Sequence, residues 1–190
     1  QRRLLAELGD LFRMDAQPER VEVYDNSHIQ GRHAVGGMIV AGPDGFNKAA
    51  YRKFNMREDG PHAVTQGDDF AMMRQVIHRR FERVLKEDPD RNGETWPDLL
   101  LIDGGKGQLT AVAEVMDDLG VADIAVVAIS KGRDRNAGRE QFHMRGCASF
   151  TLSPQASAMH FLQRLRDEAH RYAIGTHRAR RQKSELTSPL

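Results

Sequence analysis

Apolar and polar residues alternate along three early stretches of the chain, which is the pattern of strands that bury one face. The first stretch runs from Val21 to Asp25 and places Asp25 on the same face as the valines. The next two, Ala34–Ala41 and Lys48–Met56, are separated by a Gly-Pro-Asp-Gly turn. The polar residues 26–31 are typical of a turn. We therefore predict three antiparallel strands.

Four other stretches place apolar residues three or four positions apart, the spacing of an amphipathic helix. One lies at the start of the chain, and a second begins at a cap formed by Asp68 or Asp69. The third follows Lys106, and the fourth begins at a Ser153 cap with Pro154 in its first position. The buried stripe of the second helix is predicted to consist of Phe70, Met73, Ile77, Phe81 and Val84.

Two unbroken apolar runs, Leu99–Ile102 and Ile124–Ile129, predict strands that are covered on both faces. Residues 138–152 predict a hairpin of weak strands. Three antiparallel strands followed by alternating helices and strands indicate an α/β protein, with a central mixed sheet flanked by helices. This element order is that of the RNase H-like fold, in which the first and fourth strands lie side by side.

Two aspartates end these two strands, Asp25 the first and Asp103 the fourth. Ligands bind at the carboxyl ends of strands in open α/β sheets, so we expect the two carboxylates to converge. Carboxylates that lie close together repel unless a cation separates them, and hard oxygen ligands suit Mg²⁺ or Mn²⁺. Such ions support phosphoryl displacement. The pattern predicts a metal-dependent nuclease site, with turn caps as the structural alternative for both aspartates.

Two glycines follow Asp103 and precede a helix that starts near Lys106. Free N–H groups at a helix N-terminus attract anions, and glycines let the backbone approach them. A phosphate contact by Lys106 fits the sequence as well as simple exposure does, and the same holds for Lys131 and Arg133 after the next strand. Because Gly107 stands where a nucleotide-binding loop requires a hydroxyl, no nucleotide cofactor is expected.

Composition narrows the class of protein. The chain has 190 residues, enough for one domain with a sizeable core, and a net charge of +1. Its single cysteine fits a reducing compartment, and no apolar run reaches the length of a membrane span. We expect a cytoplasmic protein with no membrane partner. The predicted parts are a helix and linker packed on the core over 1–17, a domain over 18–183, and a tail over 184–190.

Positive charge is concentrated in the last predicted helix. From Arg164 to Lys183, seven basic residues stand against two acidic ones, a net charge of +5; because the whole chain carries +1, the remainder carries −4. A basic helix on a slightly acidic body is typical of a polyanion contact, although most such runs are solvated helix faces. The candidate DNA contacts on this helix are Arg166, Arg171, Arg178, Arg180 and Arg181.

Several stretches together resemble the C-terminal RNase H-like endonuclease domain of the UvrC family, an excinuclease subunit of bacterial nucleotide excision repair. They are Val23–Gly31, Tyr51–Phe54, Pro97–Gln108, Lys131–Asp134 and Leu165–Arg171. The resemblance implies an endonuclease that makes the 5′ incision beside a lesion in double-stranded DNA and works with UvrB. It also implies that the tail over 184–190 leads toward a missing C-terminal DNA-binding region. It also implies a catalytic Asp-Asp-His set, which falls on Asp25, Asp103 and His170.

The histidine of this set has two candidate roles. A neutral His170 can ligate Mn²⁺ or carry a proton at the reacting phosphate, and the ligand role is favoured. A boundary histidine that holds the last helix to the sheet is the structural alternative. His28 fits a polar loop residue better than a third ligand.

Two other functions fit parts of the sequence. An RNase H-like domain could bind nucleic acid without catalysis, but the intact Asp-Asp-His set argues against this. An α/β domain could bind a nucleotide at the glycine turn, but it would need a motif that this turn does not have. Metal-dependent nicking of DNA without added nucleotide separates the three.

Overall fold

A computed structural model gives the fold of residues 1–29, 33–65, 67–132 and 139–187, without the side chains of Ile29, His33 and residues 176–187. The helices are α1 (Arg2–Leu11), α2 (Asp69–Glu87), α3 (Lys106–Asp118) and α4 (Ser157–Thr187). The strands are β1 (Val21–Ile29), β2 (His33–Gly42), β3 (Gly45–Phe46), β4 (Arg52–Asn55), β5 (Leu99–Asp103), β6 (Ala125–Ser130), β7 (Gln141–Met144) and β8 (Phe150–Thr151). None of the helices described here combines the length and apolarity needed to cross a membrane.

The eight strands form one mixed sheet in the order β3-β2-β1-β5-β6-β7-β8, with β4 also paired to β2. β5 pairs in parallel with β1 and β6, and the other strand pairs are antiparallel. The structure thus contains the predicted order, an antiparallel unit followed by parallel strands and a terminal hairpin. The pairing of β1 with β5 brings the ends of these two strands together.

Helices cover both faces of the sheet. α1 and α4 bury residues such as Leu8 and Leu165 against the odd-numbered side chains of β1 and β5. α2 and α3 bury residues such as Phe81 and Val112 against the even-numbered ones. Because successive strand residues point to opposite faces, this alternation places Asp25 and Asp103 on the α4 side.

A buried ion pair joins β1 to α2. Glu22 is fully buried, and its carboxylate accepts hydrogen bonds from the Tyr24 hydroxyl at 2.5 Å and from Arg80 Nη2 at 2.7 Å. Burial raises the pKa of Tyr24 well above its usual range, and the Glu22 carboxylate raises it further. The alternation of β1 places this pair in the core on the α2 side, on the opposite face from Asp25.

The structure corrects the predicted strand boundaries. β1 continues through residues 26–28, which the sequence predicts as a turn, because these residues pair with β2. The predicted strand Lys48–Met56 is shorter, since Lys48–Ala50 form a 3₁₀ turn and only Arg52–Asn55 pair with β2. Pairing with a neighbouring strand overrides the local preference of these polar residues.

Two helix predictions also need correction. Asp68 does cap α2, since its side chain accepts a hydrogen bond from the Ala71 N–H at 3.0 Å, but Phe70 is exposed and lies outside the buried stripe. α4 begins at Ser157 and not at Ser153. The Ala156 N–H donates to the Ser153 carbonyl at 3.0 Å, which closes a separate turn before the helix.

Candidate active site

Asp25 and Asp103 lie at matching ends of neighbouring parallel strands. β1 and β5 pair in register up to Tyr24 and Ile102, so the next residue on each strand is one of the two aspartates. Both line a cleft of about 490 Å³ that is bounded by β1, β5 and α4, and His170 of α4 lines it as well. The structure therefore brings the three predicted residues together in one cleft.

Asp25 is the buried member of this group, with only 13% of its side chain exposed. Its Oδ2 accepts a hydrogen bond from His170 Nδ1 at 3.0 Å. Burial raises the pKa of Asp25, the hydrogen bond from His170 lowers it, and the neighbouring Asp103 carboxylate raises it again, with a net increase. A cation beside Asp25 would offset both the burial and the repulsion.

His170 reaches Asp25 from the partly exposed face of α4, and 65% of its side chain is exposed. With Asp25 ionised and the imidazole neutral, Nδ1 is the donor of the shared hydrogen bond and Nε2 carries the lone pair. Asp25 therefore sets both the orientation and the tautomer of the ring. The remaining nitrogen can accept or, once protonated, return a proton.

Asp103 is paired with an arginine. Arg166 of α4 places Nη2 3.2 Å from Asp103 Oδ1 and Nη1 3.4 Å from Glu140 Oε1. Glu140 precedes β7 and is buried, and its Oε2 has no hydrogen-bond partner in the part of the chain that the structure describes. Besides Asp25 and Asp103, the cleft thus contains a buried carboxylate that is linked to Asp103 through one guanidinium group.

The side chains that line the cleft include suitable ligands for a hard divalent cation. Asp25 and Asp103 offer carboxylate oxygens, and His170 offers an imidazole nitrogen. Among the described residues, however, no three His, Cys, Asp or Glu side chains are gathered closely enough to hold a metal ion. Asp103 is turned to Arg166 and Asp25 to His170, and these pairings engage the groups that a cation would bring together.

Of the predicted DNA contacts, Lys131 and Arg166 line the cleft. Lys106 is exposed on the first turn of α3, outside the lining of the cleft, and Arg171 pairs with Glu168 at 3.1 Å. His28 also lies apart from the cleft, where its Nε2 is 2.9 Å from Asp69 Oδ1. Arg133 and the side chains of Arg178, Arg180 and Arg181 lie outside the described residues.

The sequence profile of the UvrC RNAse H endonuclease domain matches residues 9–174, which include every element of the cleft. The chain belongs to this family. It is 58% identical over 190 residues to UvrABC system protein C of Cereibacter sphaeroides and 59% identical to that of Paramagnetospirillum magneticum. Both matches cover 100% of this chain and 30% of the relative, so the chain spans less than a third of the relatives' length.

Likeness to solved structures is weaker. Human ENDOV superposes with a TM-score of 0.45 at 16% identity, over 68% of this chain and 57% of that chain. Membership of the UvrC RNase H family, together with the mixed sheet, confirms both the resemblance noted in the sequence and the predicted RNase H-like α/β fold.

Sequence reasoning missed several residues that line the cleft of this UvrC-family domain. Gln163 and Asp167 precede His170 by seven and three positions, so helical spacing alone could have placed them on its face. Asn26 follows Asp25 directly and was assigned to a turn. Glu140 has no such signal, because only its burial and its contact with Arg166 distinguish it from other glutamates.

Proposed function

We propose that the cleft is the active site of a metal-dependent endonuclease that hydrolyses a phosphodiester bond of DNA. The observation that carries this proposal is the position of Asp25 and Asp103 at adjacent strand ends, in one cleft with His170. Two carboxylates so placed repel each other and favour a divalent cation between them. Membership of an endonuclease domain family supports the same reaction class.

Asp25 and Asp103 would hold Mg²⁺ or Mn²⁺. When bound, such an ion stabilises the charge that develops on the phosphate and activates water. Lys131 lines the same cleft, and its positive charge would bind and orient the phosphate group. The two carboxylates therefore supply the cation site, and Lys131 supplies a positive charge for the anion beside it.

We assign His170 the role of proton carrier. Its hydrogen bond to Asp25 fixes the ring, and Nε2 can take a proton from the attacking water or give one to the leaving oxygen. A histidine held by a carboxylate through Nδ1 can also ligate a metal through Nε2, which is the role that the sequence favours, so rate measurements on His170 variants decide between the two roles.

The substrate that we propose is double-stranded DNA that carries a lesion, incised on its 5′ side, with UvrB as the protein partner. Relatives named UvrABC system protein C support this assignment to an excision nuclease. The basic part of α4 would grip backbone phosphates without reading bases, which suits an enzyme that acts regardless of sequence.

Nicking of supercoiled plasmid DNA by this chain tests the proposed chemistry. Nicks should form with Mn²⁺ or Mg²⁺, need no nucleotide, and stop when EDTA is added. Nicking that persists in EDTA would contradict metal dependence. A chain that binds the plasmid but never nicks it would be a nucleic-acid-binding module and not an endonuclease.

A further inference from the structure

Arg166 connects two carboxylates that differ in their environment. Its two terminal nitrogens lie 3.2 Å from Asp103 Oδ1 and 3.4 Å from Glu140 Oε1. The Asp103 side chain is 53% exposed, whereas the Glu140 side chain is 7% exposed. One guanidinium group therefore spans the gap between a solvent-facing carboxylate and a buried one.

Glu140 is only partly satisfied by this contact. Its Oε2 is buried and, within the described residues, without a hydrogen-bond partner, which is costly for an ionised group. Arginine pairs best with a carboxylate when two nitrogens meet two oxygens. In its present position Arg166 directs one terminal nitrogen to each acid. A small movement toward Glu140 would give a bidentate ion pair, with two guanidinium nitrogens on the two Glu140 oxygens.

We propose that the ion pair with Arg166 keeps Asp103 from a cation, and that Glu140 is the positioning residue that binds Arg166 once this pair breaks. We call the breakable Arg166–Asp103 pair the latch. In the absence of a divalent cation, Arg166 neutralises Asp103. When Asp103 turns to a cation, Arg166 moves onto Glu140 and satisfies both of its oxygens. Glu140 acts only through Arg166, and this inference rests on the proposed function because it takes Asp103 to be a metal ligand.

The environments of the two ion pairs favour this exchange. A half-exposed ion pair such as Arg166 with Asp103 is screened by water, so breaking it costs little free energy. A pair with the buried Glu140 is screened much less, so it can hold the arginine once Asp103 turns to a cation.

The latch predicts opposite effects of two substitutions on Mn²⁺ affinity, measured by titration calorimetry on this chain without DNA. Arg166→Gln frees Asp103 and should tighten Mn²⁺ binding by about 2- to 5-fold, the range of a partly exposed ion pair. Glu140→Gln removes the alternative partner of Arg166 and should weaken binding by a similar factor. In the Arg166→Gln background, Glu140→Gln should change nothing further.

Arg164→Gln is the matched control, because Arg164 is an exposed arginine of the same helix outside the cleft. It removes the same charge and should leave Mn²⁺ affinity unchanged. If Arg164→Gln tightens Mn²⁺ binding as much as Arg166→Gln does, the change in affinity comes from net charge alone, and the latch is overturned. Melting temperatures establish that each variant is folded; if Glu140→Gln is not, Arg166→Gln and its control still decide the question.

Two other results would overturn the latch. If Glu140→Gln weakens binding equally in both backgrounds, Glu140 acts on the cation directly. If Arg166→Gln binds Mn²⁺ with the same affinity as wild type, the ion pair with Arg166 does not keep Asp103 from the cation. Failure of the proposed function is distinguishable from both, because wild type would then bind no Mn²⁺ or Asp103→Asn would bind it as tightly as wild type.

Discussion

Asp25 illustrates, at the scale of a single residue, how a buried carboxyl can reduce the stability of the fold. Its carboxyl is buried, and its pKa is raised chiefly by that burial and further by Asp103, against the opposing hydrogen bond from His170. A carboxyl whose pKa is higher in the folded state destabilises the fold when it ionises. This cost is absent below the unfolded-state pKa and complete above the folded-state pKa.

Asp25→Asn should therefore raise the melting temperature in EDTA at pH 8, and the difference should shrink as the pH falls toward 4. With Mn²⁺ the order should reverse, since only wild type gains stability from the bound ion. Asp117→Asn is the control of opposite sign, because a hydrogen bond from Arg145 lowers the pKa of Asp117. An Asp25→Asn variant that melts below wild type in EDTA would contradict this electrostatic account.

His170 gives a second prediction for a single residue. His170→Ala should lose incision by about 10²- to 10⁴-fold, the usual contribution of a general acid or base, while remaining folded because the side chain is mostly exposed. His170→Asp should not restore the rate, since a carboxylate that can ligate a metal is a poor proton carrier at neutral pH.

Measured single-turnover rates with matched DNA affinities decide between the roles of His170. Recovery of activity in His170→Asp would indicate ligation, contrary to our assignment. A His170→Ala variant that cuts at the wild-type rate would remove the histidine from the mechanism. A variant that unfolds would indicate the boundary role in which the ring holds α4 to the sheet.

The catalytic candidates differ in how far the sequence predicts them. Asp25 and Asp103 could be predicted, because an apolar strand that stops at an acidic residue is a local pattern and the element order pairs the two strands. His170 came from family resemblance and not from spacing. Glu140 could not be predicted, since its significance depends on burial and on a contact with a distant helix.

α4, at the scale of an element, joins a half that packs on the sheet to an end that is rich in arginine. Its first half packs on the sheet, so closely that a Cβ on Gly37 of β2 would lie 3.3 Å from Ala173. The helix continues through Gly175 to Thr187. The end that carries Arg178, Arg180 and Arg181 therefore extends from the same helix that supplies Arg166 and His170 to the cleft, which supports a shared DNA surface.

Replacing Arg178, Arg180 and Arg181 together by Ala should weaken DNA binding about equally for all sequences. The slope of log affinity against log salt concentration should fall by up to about 0.9 for each lost duplex phosphate contact. Replacing Arg83, Arg91 and Arg145, which form ion pairs on the surface, is the charge-matched control and should leave the slope unchanged. An unchanged slope in the first variant would mean that the three arginines face solvent.

The spacing of apolar residues predicted most helices and strands, because burial on one or both faces determines that spacing. The predicted boundaries were wrong where a contact with another part of the fold decided them. Residues 26–28 are polar and turn-like, yet they extend β1 because β2 offers hydrogen bonds along its whole length. Ser153 and Pro154 have the chemistry of a helix start, but they form a separate turn before α4.

At the scale of the whole molecule, the sheet separates two groups of charged side chains. The face covered by α2 buries the Glu22–Arg80 pair, which is joined by two hydrogen bonds. The face covered by α4 holds the acidic cleft, where Asp103 pairs with Arg166 and Asp25 with His170. The buried ion pair and the proposed active site thus lie on opposite sides of the same parallel strands.

The most direct test of the central claim is 5′ incision of a duplex with a single lesion, in a reconstituted UvrABC reaction, by variants at the two strand ends. Asp25→Asn and Asp103→Asn should each abolish the 5′ cut, and the double variant should be no worse than either single one, because groups that act as a unit are not additive. Asp117→Asn, on the surface of α3, should cut normally. Substantial 5′ incision by either single variant would contradict the claim that Asp25 and Asp103 form one metal-dependent site.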